Sequence, residues 1–288
     1  MVIPSLDHFE VTGRSLHKMA MLLGLVRLLS YEPLTNYLEL GMKVVPQGLS
    51  TDTLQGGGEL ILDFKQRAFI YHPRTGTAVT FPFTGQTQAD IVETVLAALE
   101  STELNQALVG MSGHTALERA VQAAHTRARF THLDSKEYTD TMPLEVDANI
   151  ASDYADVLYT IFTATARFRA RLTGLMTPIV VWPEHFDLST LWFHPENTEM
   201  EANKAHLNFG FAPYSLGLER PYLYAYAYPY PEHYTPPLLP AGAIWHTTGW
   251  TGVVVSYDEI VQQAEPALYV EQMLVDIFKA LCPLIGLS

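Results

Sequence analysis

Apolar and polar positions alternate along this chain with two different periods, and the switches between them mark out a helix, a sheet and a helix, twice over. Residues 14 to 30 carry Leu16, Met19, Ala20, Leu22, Leu23 and Val26 among straight-chain helix formers, without proline until Pro33. That pattern predicts a buried helix with a stop behind it. Period-two or β-rich segments follow at about 38 to 46, 59 to 64, 67 to 72 and 78 to 83. Gly56-Gly57-Gly58, Lys65-Gln66 and the stretch Pro73 to Gly76 separate them, so they are expected to form an antiparallel meander. Ile91, Val95, Ala98 and Leu99 then fall at helical spacing within 87 to 100.

The later part repeats this order more loosely. A long helix is expected over about 152 to 172, then strands near 178 to 182, 188 to 194, 205 to 211, 221 to 228 and 252 to 257, then a helix at 267 to 281. The fold class is α+β: two antiparallel sheets flanked by helices, open to reading as a pseudo-duplicated helix-sheet-helix unit. The expected division is 1–103, a connector at 104–149 with one helix at 115 to 130, and 150–288. Pro229, Pro231, Pro236, Pro237 and Pro240 mark an irregular loop behind the strand at 221 to 228.

Composition narrows the function classes. With 48% hydrophobic and 17% charged residues over 288 positions, the chain can bury a core without disulfides, and its single Cys282 has no intrachain partner. A reducing, cytoplasmic setting is expected. The net charge of −14 opposes docking to phosphate or anionic lipid, so neither nucleic acid nor a membrane is an expected partner. Beyond residue 171 three basic residues, Lys204, Arg220 and Lys279, face twelve acidic ones, which concentrates the negative field there. No run approaches the roughly 18 apolar residues that span a bilayer.

Motifs of known chemistry are missing, since no serine sits in a nucleophile elbow and no phosphate loop or dinucleotide fingerprint is present. His185-Phe186-Asp187 with a distant His246 has the order of a non-haem iron facial triad, yet Ser256 stands where such an oxygenase carries a co-substrate arginine. No metal or other cofactor is expected.

The informative stretch is 178 to 232. From Tyr222 to Tyr230 every second residue is tyrosine, so a strand there presents a tyrosine ladder on one face and Leu223, Ala225 and Ala227 on the other. Tyr224, Tyr226 and Tyr228 would wall a site for a small apolar or aromatic molecule, or else form a packed structural layer. On the long helix, Arg169 shares a side with Leu158, Phe162 and Thr165, so it points inward and needs a carboxylate or a ligand anion. Asp187 is the expected partner. Arg27 stands in the same situation among Leu16, Ala20 and Leu23.

Taken in order, Leu16-His17, Val26-Arg27-Leu28, Asn36, Gly48 to Thr51, Phe168 to Arg171, Gly174, Pro178, Phe186-Asp187-Leu188, His206, Tyr224 to Pro229 and Pro231-Glu232 resemble an uncharacterised bacterial family, domain of unknown function 5996. The resemblance spans nearly the whole chain and brings no activity with it. Val180 stands where that pattern has a histidine, and Pro183 where it has an aromatic residue. His17 and His206 are the histidines that match it. Imidazole titrates near neutrality, so His206 and His17 are the candidate proton carriers, with Asp187 and Glu232 as orienting or acidic groups. Arg169, Arg27 and Asn36 complete a candidate substrate-binding set. The expected function is metal-independent acid-base chemistry on a small apolar or aromatic molecule. The alternatives are noncatalytic binding of such a molecule, or a structural or partner-binding role in which these groups brace the core.

Overall fold

A computed structural model describes residues 3–127 and 133–287. The fold is α+β, with seven α-helices and two antiparallel sheets among the described residues. It divides into two compact units, one of Val11–Ala155 and one of Met1–Glu10 with Asp156–Ser288. The stretch read as a connector therefore belongs to the first unit.

Helix α1 (Phe9–Ser30), which from Val11 onward belongs to that first unit, supplies it with a nearly continuous buried row from Leu16 to Leu29. The sheet runs in chain order: β1 (Lys43–Val45), β2 (Gly48–Ser50), β3 (Glu59–Asp63), β4 (Ala68–His72) and β5 (Val79–Pro82). The expected strand at 38 to 46 is shorter than its apolar content suggests. Asn36 and Tyr37 take positive φ, and the backbone N–H groups of Leu40 and Gly41 close turns onto Tyr37 and Leu38, so 35 to 41 is a turn. Three triplet-length or loop-like residues, Gly48 to Ser50, instead form β2.

The Gly56 to Gly58 loop joins β2 to β3 around a carboxylate. Glu103 is buried, and its Oε1 accepts from the Gly58 N–H at 3.0 Å and the Tyr71 hydroxyl at 2.7 Å. A side chain at Gly56 or Gly58 would collide with that carboxylate. Helix α2 (Gln88–Leu99) begins at Thr87, whose hydroxyl accepts from the Asp90 N–H. The short α3 (Asn105–Leu108) follows, then α4 (Ala116–Thr126), which opens with a capping box between Thr115 and Glu118. Of the helix expected over 115 to 130, residues 128 to 130 lie outside the described ones.

Helix α5 (Ala148–Arg169) begins in the first unit and ends in the second. The second unit's strands are β6 (Val180–Val181), β7 (Leu188–Phe193), β8 (His206–Ala212), β9 (Tyr222–Tyr228), β10 (Ile244–His246) and β11 (Gly252–Ser256). Their spatial order is β10-β11-β9-β8-β7-β6, antiparallel throughout. Helices α6 (Tyr257–Val261) and α7 (Pro266–Leu281) complete it.

Strand alternation gives this sheet two unlike faces. Leu207, Phe209, Phe211, Leu223, Ala225 and Val253 turn to the helices: Phe168 of α5 meets Phe209 edge-on at 4.9 Å, and Phe278 of α7 meets Trp192 at 4.9 Å. Ala225 and Ala227 are small enough to let α7 lie close to β9. The other face carries the tyrosines. No described helix is long and apolar enough to cross a membrane.

Candidate functional site

Register decides what the tyrosine face contains. His206 pairs with Tyr228, Asn208 with Tyr226, Gly210 with Tyr224 and Ala212 with Tyr222, while Ser189 of β7 pairs with Gly210 and Val254 of β11 with Tyr224. Cross-strand partners share a face. Ser189, His206, Asn208, Gly210, Val254 and four tyrosines therefore line one surface, and Asp187, two residues before Ser189, joins it at the edge.

Asp187 is the chemical centre of this surface. The residue before it, Phe186, takes φ 54°, and the carboxylate that follows is buried. Its Oδ2 accepts a hydrogen bond from the Tyr224 hydroxyl. Ser189 lies beside that hydroxyl and accepts from the Trp182 indole N–H at 2.8 Å. An indole can only donate and a carboxylate oxygen accepts, so Trp182 donates to Ser189 and Tyr224 donates to Asp187. The other oxygen of the carboxylate, Asp187 Oδ1, is buried with no hydrogen-bond partner. Burial pushes the Asp187 carboxyl above its ordinary pKa, against the lowering effect of the Tyr224 bond, and it pushes Tyr224 well upward.

A bare backbone at Gly210 lets the Tyr224 ring lie across β8 toward β7, because a methyl group there would occupy the ring's own position. Tyr226 lies nearly parallel to Tyr224, with centroids 6.3 Å apart and planes 9° apart. Trp250 stands roughly perpendicular to both, at 6.1 and 6.5 Å. Asn208 donates from Nδ2 to the Tyr226 hydroxyl at 2.7 Å, and its Oδ1 is a second buried acceptor without a donor. Tyr222 donates to Ser215 at 2.7 Å. Beside Tyr222 and Val254 a groove of about 350 Å³ opens, lined also by Leu218, Arg220 and Ser256.

The other candidates are placed differently. Arg169 does not meet Asp187. Its Nη2 reaches only the Met176 carbonyl at 3.4 Å, and its Nε is buried without a partner. The reason is the sheet itself: α5 packs on the helix-facing side through Phe168, whereas Asp187 lies on the tyrosine side.

Nor does Asp187 orient His206. Tyr224 and Tyr228 lie four residues apart on β9, about 13 Å along the strand. His206 is buried, its Nδ1 is 2.8 Å from the Lys204 carbonyl, and its ring stacks on half-exposed Tyr228 at 5.2 Å. That contact places the proton on Nδ1, and burial lowers the ring's pKa, favouring neutral imidazole. Glu232 is exposed in the loop after β9.

His17, Arg27 and Asn36 belong to the other unit. His17 is half-buried on α1, and Asn36 sits in the turn after it. Arg27 is buried and directs its guanidinium at backbone: Nε to the Glu39 carbonyl at 3.1 Å, Nη2 to Leu38 at 3.2 Å, and Nη1 to Thr51. It lies 4.5 Å over the Tyr31 ring. Among the described residues no three of His, Cys, Asp and Glu come together as a metal-ligand set, so His185, Asp187 and His246 do not form the triad their order suggested.

Ser189, Asn208, Gly210, Trp182 and Trp250 were not singled out from sequence. The parity of Asn208 and Gly210 with His206, and of Ser189 with Asp187, carries the signal, but it becomes usable only once the strands are paired.

The protein is α+β, with an aromatic face around a buried carboxylate on one surface of the second unit's sheet. The chain belongs to a family of unknown function, DUF5996, whose model matches residues 3–287. No curated protein and no solved structure matches it.

Proposed function

We propose that the tyrosine face of the second unit binds a small, partly aromatic or apolar molecule, anchored at Asp187. One observation carries this reading: the buried Asp187 carboxylate takes the Tyr224 hydroxyl on one oxygen and has no side-chain or neighbouring donor on the other. Leaving such an acceptor unpaired costs about 1 to 3 kcal/mol or more, and a ligand N–H or O–H removes that cost. The aromatic rings around it offer the apolar contact, and the groove beside Tyr222 has the volume of a small-molecule site.

Binding without turnover fits the groups better than catalysis. His206 is too far along the strand to exchange a proton with Asp187, and the raised pKa of Tyr224 holds its hydroxyl as a donor. A single feature favours the enzymatic alternative: burial moves Asp187 toward the range in which a carboxyl trades protons near neutrality.

Phenol and benzamide, small aromatic donors, should shift the side-chain NMR signals of Tyr222, Tyr224, Tyr226 and Trp250 in the wild-type protein. Asp187→Asn should weaken that response. Unperturbed signals, or an equal response in the variant, would reject the site.

A further inference from the structure

We propose that the natural ligand of this face is an organic cation, a protonated amine with at least one N–H carried on an aromatic or apolar body. This rests on reading the tyrosine face as a binding site and adds the charge of what binds there.

The argument begins with charge balance around Asp187. The groups that act on its carboxyl are Tyr222, Tyr224 and Tyr226 on the same face, its own backbone N–H, and the exposed Glu184 and His185 beside it. None is a fixed cation. Of the six basic residues of this unit, Arg220 pairs with Asp258 and Asp7, Arg171 with Glu271 and Lys279 with Asp276, Arg169 is on the opposite side of the sheet, and Arg167 and Lys204 are exposed. A carboxylate buried without a counter-charge is costly; holding a proton relieves that cost, and so does a cation supplied from outside the chain, which additionally restores the ionised form.

The walls favour the same class. Tyr224, Tyr226 and Trp250 cluster beside the carboxylate, and the quadrupoles of such rings attract an ammonium group far more than a neutral one. Asn208 Oδ1 supplies a second acceptor on the same surface. A net charge of −14 raises the local concentration of cations. A metal ion is a poorer match than an amine, because it needs several ligand oxygens or nitrogens at once and, among the described residues, Asp187 belongs to no group of three or more His, Cys, Asp and Glu placed to hold one.

Calorimetric titration of 2-phenylethylamine and tryptamine against their neutral isosteres, 2-phenylethanol and tryptophol, tests this at neutral pH. The amines should bind wild type roughly tenfold or more tightly than the alcohols. Asp187→Asn should abolish that preference, weakening the amines by a much larger factor than the alcohols. Should Asp187→Asn fail to fold, Trp250→Leu serves instead, and it should weaken the amines more than the alcohols. Alcohols that bind as tightly as amines while shifting the tyrosine signals would overturn the cation assignment and leave the binding site standing. Failure of all four to perturb those signals would overturn both. Amine binding that survives either folded variant unchanged would also refute the proposal.

Discussion

Arg27→Met should lower the stability of the Val11–Ala155 unit by about 3 kcal/mol, a loss that urea denaturation followed by circular dichroism would measure. Methionine keeps the length of the apolar stem and removes every donor. The carbonyls of Leu38 and Glu39 then lose their guanidinium bonds, while the Thr51 carbonyl keeps the Tyr31 hydroxyl at 3.1 Å. Deleting a buried cation also relieves its desolvation, which already lowers the Arg27 pKa. Where a whole ion pair is replaced by apolar groups, that relief can win. Here the partners are backbone carbonyls that no substitution removes, so their unmet bonding dominates. Arg27→Lys should recover only part of the loss, because one ammonium cannot serve three diverging acceptors as a fork does. A loss below about 1 kcal/mol for Arg27→Met would show that water replaces the guanidinium.

Gly210→Ala should be the most damaging single methyl group on the tyrosine face, costing about 2 to 3 kcal/mol. No backbone strain is involved, since Gly210 does not take positive φ. The new methyl falls within the Tyr224 ring, and the ring is held by Asp187, Tyr226 and Trp250. Displacing it breaks the bond to Asp187 and leaves both oxygens of that carboxylate unpaired. Tyr224→Ala removes the obstacle, so the double variant should cost less than the sum of the two single changes. Thermal melts of the four proteins measure this, and simple additivity would mean that ring and methyl do not meet.

The periodic elements were legible before any coordinates. The tyrosine ladder emerges as β9 over Tyr222–Tyr228, and the long helix expected at 152 to 172 is α5, displaced toward Ala148–Arg169. What failed were short elements and long-range choices. β2 and β10 have three residues each, too few for a period to show, and β10 follows a proline-rich loop. Helical phase correctly turns Arg169 toward the protein, yet phase cannot say on which side of a sheet a helix will lie. The Arg169–Asp187 pair was lost to that. Asp187 attracted notice by standing between Phe186 and Leu188, but its true partner, Tyr224, is 37 residues away and is specified by the register of β7, β8 and β9.

Central to this account is that Asp187 is buried without compensation, and the pH dependence of folding stability in wild type and Asp187→Asn tests it most directly. Burial raises the folded pKa above the unfolded value of about 3.9, so the native state holds this proton more tightly than the unfolded chain. The wild type therefore keeps this contribution in full below the unfolded pKa and loses it as pH rises through the folded one. Subtracting the variant's stability from the wild type's cancels every other titration, and the difference should fall with rising pH. A difference that grows instead would mean a folded pKa below the unfolded one, hence a carboxylate already paired inside the protein, and the anchor would be a brace.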